Sequence, residues 1–507
     1  MRIATRINII VGGTALAAII WVAIRAHVQA ITIDEADTYL FWVGRPDAVY
    51  WSGGANNHVL NSLLIRLLTS IFGLSHLTVR GPALFGAVLY VGSAFALCTA
   101  LFRPPILRWS IFVCMVYNPF VMDYLVAARG YGLAAAFLLV AVTTPCLYEL
   151  YPTVRARISL AAVCCVCSIA LALSFAGNFS FAVVDALTLA GVCLWANAAA
   201  ARHQKVKTSV RIRFLAATLL PGLLVTLFLC GSVLNDWRHV ELIYGARSFR
   251  EMWKSLGSAT LYELNTDIVN PLLLPFLYRL HLLLIPRGLG IAVGVSLLVM
   301  VAQRRLLPKE EYVYLMQLGL SLAAITTLTV FIHWMAFRIL HVLMPLERTA
   351  LYLAPLTALI VGCVAAMPLR TRAGQACRGV LQAVVFGVAV LFLLCMRLNY
   401  FKEWKFDADV KGVHDVLVRY SQEYGIEGVP VNWRYLSSFK FYDRMANTSI
   451  SADDDTRKSC PPGKLAYVLY YPDEERFIQA QHLKVIYRGK FSDIVIAVDA
   501  SVPGETK

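Results

Sequence analysis

Residues 82–101 read PALFGAVLYVGSAFALCTAL, twenty positions without a single charge. At 1.5 Å per residue such a helix crosses the roughly 30 Å of a bilayer's hydrocarbon core. Arg103 and Arg108 follow at once, as basic residues do where a span meets the cytoplasm. Further apolar runs lie outward in both directions, at about 7–25, 109–122, 130–149, 158–174, 179–200, 214–234, 282–302, 312–332, 349–367 and 379–396. Eleven spans are therefore expected, the third and fifth being the shortest. The run at 7–25 exceeds the ~7–15 residues of a secretory signal core and is read as a retained first span.

The composition fits this pattern. The chain has 507 residues, is 59% hydrophobic and only 15% charged, and its mean hydropathy is +0.64. So little charge cannot cover a water-facing surface of this size. The net charge of +15 could point to nucleic acid, but the basic residues collect in short linkers between apolar runs. That distribution is a topology signal, so no nucleic-acid partner is expected. One set of linkers holds Arg2, Arg103, Arg155, the run from Arg202 to Arg213, Arg304 and Arg370; the alternate set holds Asp34, Glu35, Asp47, Asp123, Asp236, Glu241 and Glu347. This alternation places the N-terminus in the cytoplasm and the C-terminal region outside it.

Of twelve cysteines, Cys460 alone falls in the polar tail, which excludes a disulfide framework there. The lack of a pair suggests a bacterial inner membrane as the location. The expected fold is an α-helical polytopic membrane protein, 1–396, carrying a small extracytoplasmic α/β domain, 397–507. In that tail a helix is expected near 413–424 and strands at 429–433, 466–471, 483–487 and 494–498. Two outer loops are long, 26–81 and 235–281. The first ends in an amphipathic helix with Leu60, Leu63, Leu64, Leu67, Leu68, Ile71 and Phe72 on one face and Asn61, Ser62, Arg66, Thr69 and Ser70 on the other. It is too short to span and is expected to lie along the membrane surface. The second loop is expected to hold another surface helix around 249–256.

The residues that could carry chemistry begin at Ile33-Asp34-Glu35-Ala36-Asp37-Thr38-Tyr39, three carboxylates within four positions just past a span. Carboxylates this close repel, so the cluster calls for a cation, a metal or a proton. It is either a general base for an acceptor hydroxyl or a solvated loop, and a divalent cation is one candidate partner. Arg129, at the outer end of a span, suits a phosphate contact, a lipid-headgroup anchor or a pair with Asp123. Tyr131 beside it could stack or donate a hydrogen bond.

The order of these segments resembles the GT-C membrane glycosyltransferases, in particular the protein O-mannosyltransferase and lipid A aminoarabinose transferase group, glycosyltransferase family 39-like. The resemblance lies in the acidic pair Asp34-Glu35, in Asn56-Asn57-His58-Val59-Leu60-Asn61, in Val79-Arg80-Gly81-Pro82-Ala83-Leu84-Phe85-Gly86 and in Ala128-Arg129-Gly130-Tyr131-Gly132-Leu133. Together they cover about the first 150 residues. The two prolines that follow the family histidine are replaced by Val59-Leu60. The resemblance implies an inverting transfer from a polyprenyl-phosphate sugar donor to a lipid, glycan or protein acceptor. Asp34 would be the base and Glu35 would assist it. His58 would orient the acceptor or bind the donor phosphate. Arg348, in Pro345-Leu346-Glu347-Arg348-Thr349-Ala350-Leu351-Tyr352, would meet the leaving phosphate, or else pair with Glu347 at the surface. Asp37, Asp123 and Tyr352 are accessory candidates. The competing reading is a secondary transporter or lipid-linked sugar flippase, for which polar residues near the bilayer midplane would be expected.

Overall fold

The computed structural model describes residues 2–44, 57–203, 208–236, 244–260, 263–265, 268–279, 310–368, 371–452 and 461–502, with four isolated positions between 291 and 298. In chain order the helices are α1 Arg2–Val28, α2 Ile33–Trp42, α3 Val59–Phe72, α4 His76–Leu101, α5 Pro105–Val116, α6 Pro119–Tyr124, α7 Tyr131–Leu150, α8 Pro152–Arg157, α9 Leu160–Gly177, α10 Ala182–His203, α11 Thr208–Asp236, α12 Phe249–Thr260, α13 Leu274–Arg279, α14 Glu310–Leu340, α15 Leu353–Ala366 and α16 Arg372–Leu394. The C-terminal region adds α17 Val410–Tyr424, α18 Trp433–Ala446, β1 Ala466–Tyr470, α19 Tyr471–Ala480, β2 Lys484–Arg488 and β3 Ile494–Val498.

Among the described residues nine helical segments are long and apolar enough to cross a membrane. They correspond to the expected spans except the third and the eighth. The eighth, 282–302, lies outside the described residues apart from scattered positions. The third, expected over 109–122, is broken. Pro119 disfavours a helical conformation at Asn118, which is extended at ψ 119°. The Asn118 side chain accepts from Phe120 N at 3.1 Å and starts α6 afresh. What remains is α5, twelve residues long, reaching about 18 Å. It is packed against α1, α4, α15 and α16.

The two ends of the bundle differ in chemistry. Arg103, Tyr151, Tyr312 and Arg378 line a cavity of about 230 Å³ at one end. At the other end the last turn of α1, the starts of α4, α7 and α10, and the segment before α15 converge with α2 and α3. Both helices expected in the long outer loops form, and α3 turns its polar edge inward. Asn61 and Ser62 are buried against the protein, while Leu67, Ile71 and Phe72 are exposed. Asn61 Nδ2 donates to the carbonyl of Ala128 at 2.9 Å, so its polar edge serves the protein interior and its apolar edge is left for lipid.

The three strands form an antiparallel sheet in the order β1-β3-β2. The fourth expected strand, 429–433, is reduced to single bridges, Val429 to Ser451 and Val431 to Val468. Pro430 has no N–H to extend a ladder, and Asn432 already caps α18 by accepting from Arg434 N at 3.1 Å. The helix α18 was not foreseen. It packs on α2, where Ile31 N donates to Tyr442 Oη at 2.8 Å. Ile31, Ala36 and Tyr39 share one buried core with Val413, Phe439, Tyr442 and Ile496.

Candidate active site

The acidic segment folds because its first carboxylates are consumed locally in different ways. Thr32 caps α2: its hydroxyl accepts from Glu35 N at 3.2 Å, while Glu35 Oε2 accepts from Thr32 N at 3.0 Å. Glu35 is fully buried with Arg80 in a fork-to-fork pair, Nε to Oε1 at 2.8 Å and Nη2 to Oε2 at 2.7 Å. Arg80 spends its other N–H groups on the carbonyls of Ala26, Gln29 and Ala30, at 3.1, 2.8 and 2.7 Å, where α1 ends and a cation is favoured. Burial pushes the Glu35 pKa up, but Arg80 outweighs it and holds the carboxyl below its usual range. Glu35 Oε1 also accepts from Ala128 N at 2.8 Å. The pair thus ties α2, α4 and the turn before α7 together. Glu35 is saturated, and its assistance to Asp34 is confined to positioning.

Asp34 is differently placed. Its Oδ2 lies 3.0 Å from Nη1 of Arg348 and 3.8 Å from Nε of Arg129. Arg129 Nη1 donates to Thr38 Oγ1 at 2.8 Å and to the Asp34 carbonyl at 3.1 Å. Burial works to raise the Asp34 pKa, yet the two guanidinium groups, with a hydrogen bond from the Trp404 side chain, hold it below its ordinary value. Arg348 also pairs with Glu403, which in turn accepts from the Tyr124 hydroxyl. Burial keeps the Glu403 pKa raised against the opposing pull of Arg348. The Arg348 guanidinium stacks 4.5 Å from the centre of the Tyr244 ring. Glu347, rather than pairing with its neighbour, accepts from the Tyr244 hydroxyl at 3.2 Å.

Arg129 reaches this point from a turn that only Gly130 permits. Gly130 has φ +74°, and a Cβ on it would stand 2.1 Å from the carbonyl oxygen of Gly177 and 3.0 Å from the Cβ of His58. His58 is buried, its ring edge-on to Tyr131 at 5.4 Å. Burial, with Arg129 and Arg348 nearby, pushes its pKa well below the usual range. A neutral imidazole offers a phosphate one N–H and no charge. Tyr131 also stacks against Tyr124 at 5.0 Å. Tyr352 is buried against Phe181 at 5.3 Å. Asp37 is half-buried, one turn along α2 from Asp34.

Asp123 is not the partner of Arg129. It accepts from Arg25 Nη2 at 2.6 Å and from Lys402 N at 3.0 Å. It therefore fastens the strap 400–407 that follows α16. Arg25 and Arg80 lie 5.2 and 5.3 Å from the centre of the Phe401 ring in the same strap. Glu403 and Trp404 enter the site from there, and sequence reasoning missed them because nothing in that stretch marks it off from the polar tail. Thr38 and Tyr124 were also missed, since a lone hydroxyl on a helix carries no signal of its own. Asp34 and Glu35 are each committed to guanidinium groups, and among the described residues no group of three or more His, Cys, Asp and Glu converges to hold a metal.

The molecule is thus a polytopic helical membrane protein with a buried acid–arginine cluster at one end of its bundle. No protein-family model and no curated protein matches the chain. Two solved structures align along nearly all of it. ArnT from Cupriavidus metallidurans bound to undecaprenyl phosphate aligns at 11% identity and a TM-score of 0.48, over 98% of this chain and 99% of that one. The same protein in its apo state aligns at 12% identity and a TM-score of 0.40, over 99% of each chain.

Proposed function

We propose that the chain is an inverting glycosyltransferase that moves a sugar from a polyprenyl-phosphate-linked donor to a hydroxyl of a lipid, glycan or protein acceptor, at the extracytoplasmic face of a bacterial inner membrane. The observation that carries this reading is a half-buried carboxylate, Asp34, flanked by Arg348 and Arg129 at the bundle end. The acidic character of the loops on that side supports the orientation.

Asp34 is ionised across the physiological range and acts as general base. Its lone pair takes the acceptor proton as the acceptor oxygen forms its bond to the anomeric carbon. The bond from that carbon to the phosphate oxygen breaks on the opposite face, which inverts the configuration. The electron pair leaves with the polyprenyl phosphate, whose growing charge Arg348 and Arg129 stabilise. In the donor-free protein Arg348 is held by Asp34 and Glu403. An incoming phosphate competes for that guanidinium and releases Asp34 as it binds, which couples donor binding to the freeing of the base.

The test is donor consumption by the purified protein in lipid nanodiscs. Asp34→Asn is expected to abolish consumption of a polyprenyl-phosphate sugar while undecaprenyl phosphate still binds. Full consumption by that variant overturns the reading. Movement of the donor across vesicles without its consumption favours the transporter instead.

A further inference from the structure

Beneath Arg129, where α7, α9 and α10 meet, several polar atoms are buried with no well-formed hydrogen bond among the described residues. They are both ring nitrogens of His58, Asn178 Nδ2 and Asp185 Oδ2, on residues 3%, 2% and 5% exposed, with Tyr131 beside the Asn178 amide. Leaving a buried donor or acceptor unmet is costly, so their gathering needs a reason.

They belong to one place. Gly130 is wedged between the His58 Cβ and the carbonyl of Gly177 with no room for a side chain, and Asn178 follows Gly177 directly. One helical turn deeper, Ser174 Oγ lies 3.0 Å from both the Ala134 carbonyl and Asp185 Oδ1. The other half of each group is already fixed: Asn178 Oδ1 accepts from Ser180 N at 3.0 Å and from Ser180 Oγ at 2.7 Å. The amide and the carboxyl are therefore locked in orientation with one end unsatisfied.

We propose that His58, Asn178 and Asp185 form the subsite that receives the hydroxyl groups of the donor's sugar. This rests on the glycosyltransferase reading above. The chemistry of the set selects the ligand. Asn178 Nδ2 supplies donors, the free end of the Asp185 carboxyl an oxygen able to accept or, protonated, to donate, and a neutral His58 one of each. A sugar hydroxyl both donates and accepts, so neighbouring hydroxyls match such an alternating set. A phosphate, which only accepts, is served by Arg129 and Arg348 instead. The arginines would hold the phosphate, and the sugar would lie on the side of Tyr131 and His58. These three side chains, rather than the arginines, would then determine which sugar is accepted.

The experiment compares two probes by equilibrium binding in nanodiscs: undecaprenyl phosphate alone, and a series of undecaprenyl-phosphoryl monosaccharides. Asn178→Asp keeps the oxygen that caps the turn and removes the donor. Asp185→Ala removes the free oxygen together with the one that Ser174 meets. Each is expected to weaken the sugar-bearing probe that the wild type binds best by about ten-fold, one buried hydrogen bond, and to leave undecaprenyl phosphate within two-fold. Equal weakening of both probes, or of neither, overturns the subsite. So does a wild type that binds no sugar-bearing probe more tightly than undecaprenyl phosphate. Failure of the parent reading has a different signature, undecaprenyl phosphate binding that does not respond to Arg348→Ala. If one variant does not fold, the other, or His58→Phe, gives the same comparison.

Discussion

Nη1 of Arg348 lies 3.0 Å from Oδ2 of Asp34, although 314 positions separate the two residues in the chain. One is delivered by the capped helix α2, the other by a short 3₁₀ turn, Glu347–Ala350, entered through Glu347 at φ +44°. The contact ties the first loop of the bundle to the start of a late span, and it sets the protonation of the proposed base.

Arg348→Ala is expected to weaken undecaprenyl phosphate binding by at least ten-fold, since a charge-assisted bond to an ionised group is worth about 1.5–3 kcal/mol. Arg348→Lys should recover only part of the loss, because a point charge cannot engage two oxygens side by side. Equilibrium binding measures both. An Ala variant with wild-type affinity removes Arg348 from the phosphate site.

The pH dependence follows from the sign of the Asp34 shift. Its pKa is depressed below the ordinary 3.8 by Arg129 and Arg348, which overcome the effect of burial. The base is therefore ionised, and competent, down to pH values below that of a free carboxyl. Arg129→Gln removes one depressing charge and leaves the burial. The acid limb of kcat is expected to move to higher pH, towards and past the ordinary carboxylate range. A profile that does not move, with kcat measured across pH 4–8, would show that Asp34 does not set that limb.

Glu403 competes with phosphate for Arg348. Glu403→Gln should therefore tighten undecaprenyl phosphate binding several-fold, by removing one anion from the guanidinium. In the wild type the same gain is expected as pH falls through the raised pKa of Glu403, because protonation neutralises the competitor. Weaker binding in Glu403→Gln would mean that the carboxylate holds Arg348 in position.

Glu35→Ala leaves Arg80 buried and uncompensated, with five hydrogen bonds reduced to three carbonyl contacts. A loss of about 3–5 kcal/mol is expected, read as a fall in the apparent unfolding midpoint in detergent. An unchanged midpoint would refute the structural weight given to this pair.

Much of the helical frame is written in hydropathy. An apolar run such as 82–101 has no alternative to spanning, and α4 forms there. The exceptions have local causes. Asn118-Pro119 interrupts the third expected span, and a hydropathy average does not register one residue's backbone preference. The outward-facing apolar edge of α3 suits a helix lying on lipid, but the burial of Asn61 depends on the Ala128 carbonyl it meets and is not written in the periodicity. Asp34, Arg129 and Arg348 could each be singled out from the sequence, and they are adjacent in the fold. Their partners could not be. Nothing in Asp123 says that it takes Arg25 and not Arg129, since pairing depends on how α1 packs. Glu403 lies in a stretch whose composition is indistinguishable from the tail that follows it.

The strap that carries Phe401, Glu403 and Trp404 gives the C-terminal region a share in the proposed active site. A protein shortened to its hydrophobic portion would lose Glu403 and Trp404 from that site and the aromatic wedge from Arg25 and Arg80. The tail is better regarded as the last stone of the vault than as an appendage.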